Sequence, residues 1–158
     1  MNLQTITKDI QKAMHSMTTY HVGIVQNQAY RLLKQRTAKA LAPAGITPSE
    51  WALLGYLSDI DGGVRPAHLA AEIGVEPPYI SAMVRMLTEK EFIKMIPDDT
   101  DSRAKKICIT KTGMAFVKKT ESEIRTIMRP VVDGVSMRDL YTYYRVMQKI
   151  IANIEKQG

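Results

Sequence analysis

The residues of this chain that can do chemistry are suited to recognition rather than to making or breaking bonds. No nucleophile elbow, phosphate-cradling glycine loop or pair of spaced carboxylates occurs along its 158 residues. Cys108 is the one cysteine, which excludes an intramolecular disulfide and a multi-cysteine zinc site. Strand alternation sets Cys108 opposite Ile107 and Ile109, beside Lys106 and Thr110. Nearby cations lower a thiol pKa, so a redox switch is one reading and a plain strand position the other. His15, His21 and His68 form no cluster at ligand spacing, because the first two are poorly placed for one helix face. Neither a metal nor a cofactor is expected. Asp98, Asp99 and Asp101 share a polar loop, where they either attract a cation or simply form a loop tip.

The informative constellation runs from Pro66 to Leu87. Two short helices that cross steeply need a small residue at the crossing, and Ala70 supplies it. The turn between them needs a residue tolerant of positive φ, and Gly74 follows four positions later. Ile80, Met83, Val84 and Leu87 then share one face of the second helix, suited to burial. Tyr79, Ser81, Ala82, Arg85 and Glu89 are left outward, and the helix starts near Pro77. A helix with that N-terminus and outward face is free to enter a DNA major groove. A helix hairpin inside a bundle carries a similar pattern, so this stretch does not decide alone.

The next segment favours DNA. Phe92 to Ile96 reads as a strand, Pro97 to Ser102 as a polar loop, and Ala104 to Thr110 contains a second strand. A hairpin directly after a recognition helix is a wing. Arg103 sits at its tip, where a guanidinium reaches the focused negative potential of a narrow minor groove. Asp101 either holds that guanidinium or braces the loop. Lys105 and Lys106 follow as phosphate contacts or as ordinary solvated charges.

These residues need elements to position them. Thr47-Pro48-Ser49-Glu50 reads as a capping box that starts a helix, with Ile46 and Trp51 as its hydrophobic staple, and Asp61-Gly62-Gly63 stops it. Residues 3 to 42 read as one long helix, broken near Gly23, with Leu3, Ile6, Ile10, Met14, Met17, Ile24, Leu32 and Leu33 mostly at helical steps. Thr110 to about Val132 is a second long helix. Ser136 to Lys156 is a third, opened by Ser136 and Asp139 and striped by Leu140, Tyr144, Met147, Ile151 and Ile154. The expected fold is mostly α with a small β-hairpin wing. It divides into an N-terminal dimerisation region (1–46), a winged helix-turn-helix (47–110) and C-terminal dimerisation helices (111–158), intertwined as one domain. Long amphipathic helices at both ends exceed what a small unit can cover, so a homodimer is expected, with a bundle within one chain as the alternative. Twenty-two Lys and Arg against 16 Asp and Glu give a net charge of +6, which favours an anionic partner such as nucleic acid. No signal peptide or 18-residue apolar run is visible, so no membrane partner is expected and the location reads as cytoplasmic.

From about Leu41 to Gly113 the sequence resembles the multiple-antibiotic-resistance regulator (MarR) family. Leu41-Ala42-Pro43, Ile46-Thr47-Pro48, Leu69-Ala70, Gly74-Val75, Pro97-Asp98, Asp101-Ser102-Arg103-Ala104 and Ile109-Thr110 with Gly113 carry the resemblance. It implies a dimer with interlocked terminal helices that binds a pseudo-palindromic operator in double-stranded DNA, usually as a repressor. The DNA contacts would come from Pro77, Tyr79, Ser81, Ala82, Arg85, Asp101, Arg103 and Lys105. It also implies a small aromatic or drug-like effector, for which His21, Tyr30, Trp51, Arg65 and His68 are the candidate residues; Trp51 reads more readily as core, and lining the dimer interface is the alternative for His21 and Tyr30. The chain departs from the family at Ala82, Met86, Met95, Ile96 and Ser102, positions often Arg, basic or otherwise polar, and at Glu91, where Gly is usual. Fewer cations there mean fewer phosphate contacts. A winged module that serves protein interaction instead of DNA is the alternative.

Overall fold

The computed structural model describes residues 19–101 and 103–157, with side chains from residue 22 onward. The apolar positions from Leu3 to Met17, and also His15 and Ser102, lie outside the described residues. Helix α1 is described over Thr19–Leu41. It passes through Gly23 without a break, contrary to the expectation of one. A single glycine costs a helix only about 1 kcal/mol, and here the neighbouring turns carry the ladder across it. A 3-10 turn, Ala42–Ala44, ends on Gly45 at φ 62°.

Helix α2 is Pro48–Ser58, and its capping box is complete. Thr47 Oγ1 accepts from the Glu50 N–H at 3.2 Å, and the Thr47 N–H donates to Glu50 Oε2 at 2.6 Å. The helix stops before Asp61-Gly62-Gly63, because its last turn tightens: the Asp59 N–H bonds the Tyr56 carbonyl. Helices α3, Pro66–Ile73, and α4, Pro77–Glu89, follow. Strands β1, Ile93–Pro97, and β2, Lys105–Ile109, form an antiparallel hairpin in which Met95 faces Ile107. Val64 adds a bridge to Ile107 on the other side of β2, through bonds of 3.0 and 2.8 Å.

Helix α5 is Lys111–Met128, a 3-10 turn covers Arg129–Val132, and helix α6 is Met137–Glu155. The reading of one helix from Thr110 to about Val132 is therefore trimmed at both ends. Thr110 is the cap: its Oγ1 accepts from the Gly113 N–H at 3.0 Å and donates to the Glu91 carbonyl at 2.7 Å. Gly113 is required there, since a Cβ would overlap the Phe92 carbonyl oxygen.

The chain forms two compact units, 1–121 and 122–158. In the first, Leu41, Leu53, Leu54, Leu57, Leu69, Ile80, Leu87, Ile93 and Ile107 are fully buried. Each of its helices from α1 to α4 and both strands contribute to that core, which fixes the hairpin against the helices. Phe116 stacks on Phe92 with centroids 4.4 Å apart and meets the edge of Trp51 at 6.2 Å. In the second unit Ser136 caps α6 through the Asp139 N–H at 3.1 Å. Among its described residues only Ile124, Met128, Leu140 and Met147 are half-buried, while Tyr144, Ile151 and Ile154 are exposed.

Candidate nucleic-acid interface

The turn between α3 and α4 has the geometry its sequence demands. Gly74 adopts φ 66° and ψ 42°, and the Val75 N–H reaches back to the Ala70 carbonyl at 3.0 Å. Ala70 is buried at the crossing. Pro77 occupies the first turn of α4, where a missing N–H costs nothing. Ile80, Met83, Val84 and Leu87 are the buried row of α4. Pro77, Tyr79, Ser81, Ala82, Arg85, Met86 and Glu89 are all exposed. The expected outward face is thus assembled on one helix.

Helix α4 ends in a Schellman arrangement, with the Phe92 N–H bonded to the Leu87 carbonyl at 3.0 Å and the Glu91 N–H to the Thr88 carbonyl at 2.9 Å. Glu91 takes φ 58°, the left-handed region that glycine would occupy without strain.

The hairpin loop is braced from several sides. The Asp98 N–H bonds the Ala104 carbonyl at 3.1 Å, and Asp101 Oδ1 accepts from the Arg103 N–H at 3.0 Å. Asp101 therefore braces the loop backbone. Among the described residues no ion pair engages the Arg103 guanidinium, which is exposed beside exposed Lys105. Lys106 is tied to Asp99 at 2.8 Å.

Sequence reasoning missed the strongest of these braces. Arg65 Nε donates to Asp98 Oδ2 at 2.7 Å, and its Nη2 donates to Thr100 Oγ1 at 3.3 Å. The Asp98 side chain is almost fully buried. Its other oxygen accepts from the Thr100 hydroxyl at 2.7 Å and the Thr100 N–H at 2.8 Å. The Arg65 hydrogen bond, then those from Thr100, hold the Asp98 carboxyl far below the ordinary carboxylate range. An Asp two residues before Thr100 hinted at a turn. Nothing local hinted at Arg65, which reaches Asp98 only because Val64 is pinned to β2.

The candidate effector residues are distributed over three places. Tyr30 lines a cleft of about 580 Å³ with Leu33, Lys34 and Thr37 of α1, Ala52 of α2, and Tyr79 of α4. Arg65 and His68 line a smaller cleft of about 440 Å³ at the base of the hairpin, with Asp98 and Lys106. His68 is also 3.8 Å from Glu72 on the same exposed helix surface. Trp51 packs against Phe116. The side chain of His21 lies outside the described residues. Cys108 is half-buried, and a Cβ on Gly63 would overlap its Sγ. Among the described residues no His, Cys, Asp and Glu cluster could hold a metal, and no helix is long and apolar enough to cross a membrane.

Comparison with known proteins agrees with this architecture. Residues 44–104 match the sequence profile of the MarR family. The transcriptional activatory protein BadR of Rhodopseudomonas palustris is 23% identical over 132 residues, which span 82% of this chain and 75% of that protein. CouR from Rhodococcus jostii RHA1, bound to p-coumaroyl-CoA, superposes with a TM-score of 0.75 at 21% identity, covering 82% of this chain and 90% of that one. The S. aureus MepR–DNA complex superposes with a TM-score of 0.71 at 22% identity, covering 87% and 99%.

Proposed function

We propose that this chain, whose residues 44–104 match the MarR family profile, is a transcription regulator of that family, a cytoplasmic homodimer that binds a pseudo-palindromic operator in double-stranded DNA and represses transcription. The observation that carries the reading is the exposed face of α4 beside a braced hairpin whose tip presents Arg103, exposed and free of ion pairs among the described residues. A helix of that exposure fits a major groove, and a cationic tip fits the adjacent minor groove. The MepR complex supports the DNA partner.

Dimerisation is supported by apolar surface that each unit leaves open. Val22, Ile24, Val25, Leu32 and Leu33 of α1 are at least 39% exposed, and Tyr141, Ile151 and Ile154 of α6 are at least 53% exposed. Apolar surface on that scale marks an interface. Two copies would set two α4 helices one helical turn of DNA apart, roughly 34 Å. An aromatic effector in the cleft lined by Tyr30 and Tyr79 would alter that spacing and so lower operator affinity. The p-coumaroyl-CoA in CouR supports an aromatic ligand class.

The test is selection of binding sites from a random duplex library, followed by sedimentation of the free protein and transcription over the selected site. Enrichment of a two-fold-related site, a species of about twice 17.8 kDa and reduced transcript are expected. Raised transcript would make it an activator, as BadR's name describes that relative. A folded protein that enriches no duplex would overturn DNA binding and favour the protein-interaction module.

A further inference from the structure

The outward face of α4 is divided lengthwise. Helical spacing sets Pro78, Ala82, Arg85 and Glu89 opposite the buried row of Ile80, Met83, Val84 and Leu87. Ser81 and Thr88 flank that line on the hairpin side, where they share a cleft with Met95. Tyr79 and Met86 flank it on the other side, and Tyr79 borders α1. Half of the exposed surface thus carries polar groups, Ser81 and Arg85, and half carries Ala82, Met86 and the ring of Tyr79.

The apolar half has a definite chemical meaning in a major groove. Ala82 has no polar side-chain atom, and the Met86 thioether is only a weak acceptor. Neither can satisfy the donors and acceptors that adenine, guanine or cytosine present there. Thymine presents a C5-methyl group beside its O4, and apolar side chains recognise it by contact. Met86 is 38% exposed and unbranched, so it can settle on a methyl without displacing its neighbours. Ala82 is short enough to let the helix backbone come close.

We infer that Ala82 and Met86 read thymine C5-methyl groups, so that part of each half-site is specified by methyl contact. This rests on the operator-binding reading above. The polar half, through Arg85, is left to read a guanine edge or a phosphate. Burying one methyl or methylene gives about 0.8 kcal/mol, or about four-fold in affinity. Losing one such contact in each of two half-sites should therefore cost roughly fifteen-fold.

Deoxyuridine tests this directly, because it pairs as thymidine does and lacks only the methyl. The full chain is used to select its site, and that site is then synthesised with deoxyuridine at each thymine in turn, symmetrically in both half-sites. At least one position should weaken binding about fifteen-fold, and thymines outside the half-sites should show no effect. Met86→Ala, an exposed substitution, should bind more weakly and lose the sensitivity at one of the affected positions. If the site is bound and every deoxyuridine duplex stays within two-fold of the parent, methyl reading is refuted while operator binding stands. Sensitivity that persists unchanged in both Met86→Ala and Ala82→Gly would refute the assignment to these residues. Failure to select any duplex removes both readings.

Discussion

Replacing Glu91 by glycine should stabilise the protein, and the structure sets the size of the gain. Glu91 stands just past the end of α4 at φ 58°, held there by the Schellman bonds of Glu91 and Phe92. A side chain in the left-handed region costs about 1–2 kcal/mol. Glycine removes that cost but loses roughly 0.5–1 kcal/mol through its freer unfolded chain. The net gain is about 0.5–1 kcal/mol, which in a chain of this length raises Tm by about 1–4 °C. The substitution also removes an anion from a helix C-terminus, itself worth about 0.3–1 kcal/mol at an exposed site. Glu91→Ala separates the two effects, since it discards the charge and keeps the strain. Thermal unfolding of the three proteins at one fixed concentration is the assay, because the Tm of the proposed dimer would depend on concentration. The glycine variant should melt above the alanine variant by the backbone contribution. Equal melting of the two would refute the claim that a left-handed residue is strained at this junction.

Other perturbations should fail in different ways. Arg103→Ala should weaken operator binding evenly across base variants, by about 1–3 kcal/mol, whereas Arg85→Ala should relax one position per half-site if it reads a base; titrations against single-base variants distinguish them, and wild-type binding by folded Arg103→Ala would remove the wing from the contact. Arg65→Ala should lower stability in a pH-dependent manner. The lowered pKa of Asp98 contributes stability above the ordinary carboxylate value of 3.8, and that contribution disappears as pH falls through the folded value. The gap between urea midpoints of wild type and variant should therefore be full at pH 6 and narrow progressively as pH falls below 3.8; a constant gap would show that the ion pair is not responsible. Gly113→Ala should destabilise by roughly 1–3 kcal/mol, as overpacking does, because its Cβ would meet the Phe92 backbone rather than a side chain that can move; an unchanged Tm would refute the close approach.

Features set by neighbours in sequence were legible without coordinates. Thr47 and Glu50 are three residues apart, so the capping box can close within one turn. Gly74 answers a backbone need that few residues meet, and the row of Ile80, Met83, Val84 and Leu87 fixes which side of α4 is buried. The outward positions of Tyr79, Ser81, Ala82 and Arg85 follow from that row by rotation alone. What the sequence could not supply was contact across distance. Arg65 and Asp98 are 33 residues apart, and their pairing depends on Val64 joining β2, which no local pattern encodes. Trp51 read from sequence as core before ligand contact, and Phe116 against its edge supplies the packing partner that no local pattern names. Tyr30 and Tyr79 share a cleft only because α1 passes beside the start of α4. Local hydrogen bonds and periodicity are written into a few consecutive residues, whereas the partners of long side chains are chosen by the whole core once it has closed.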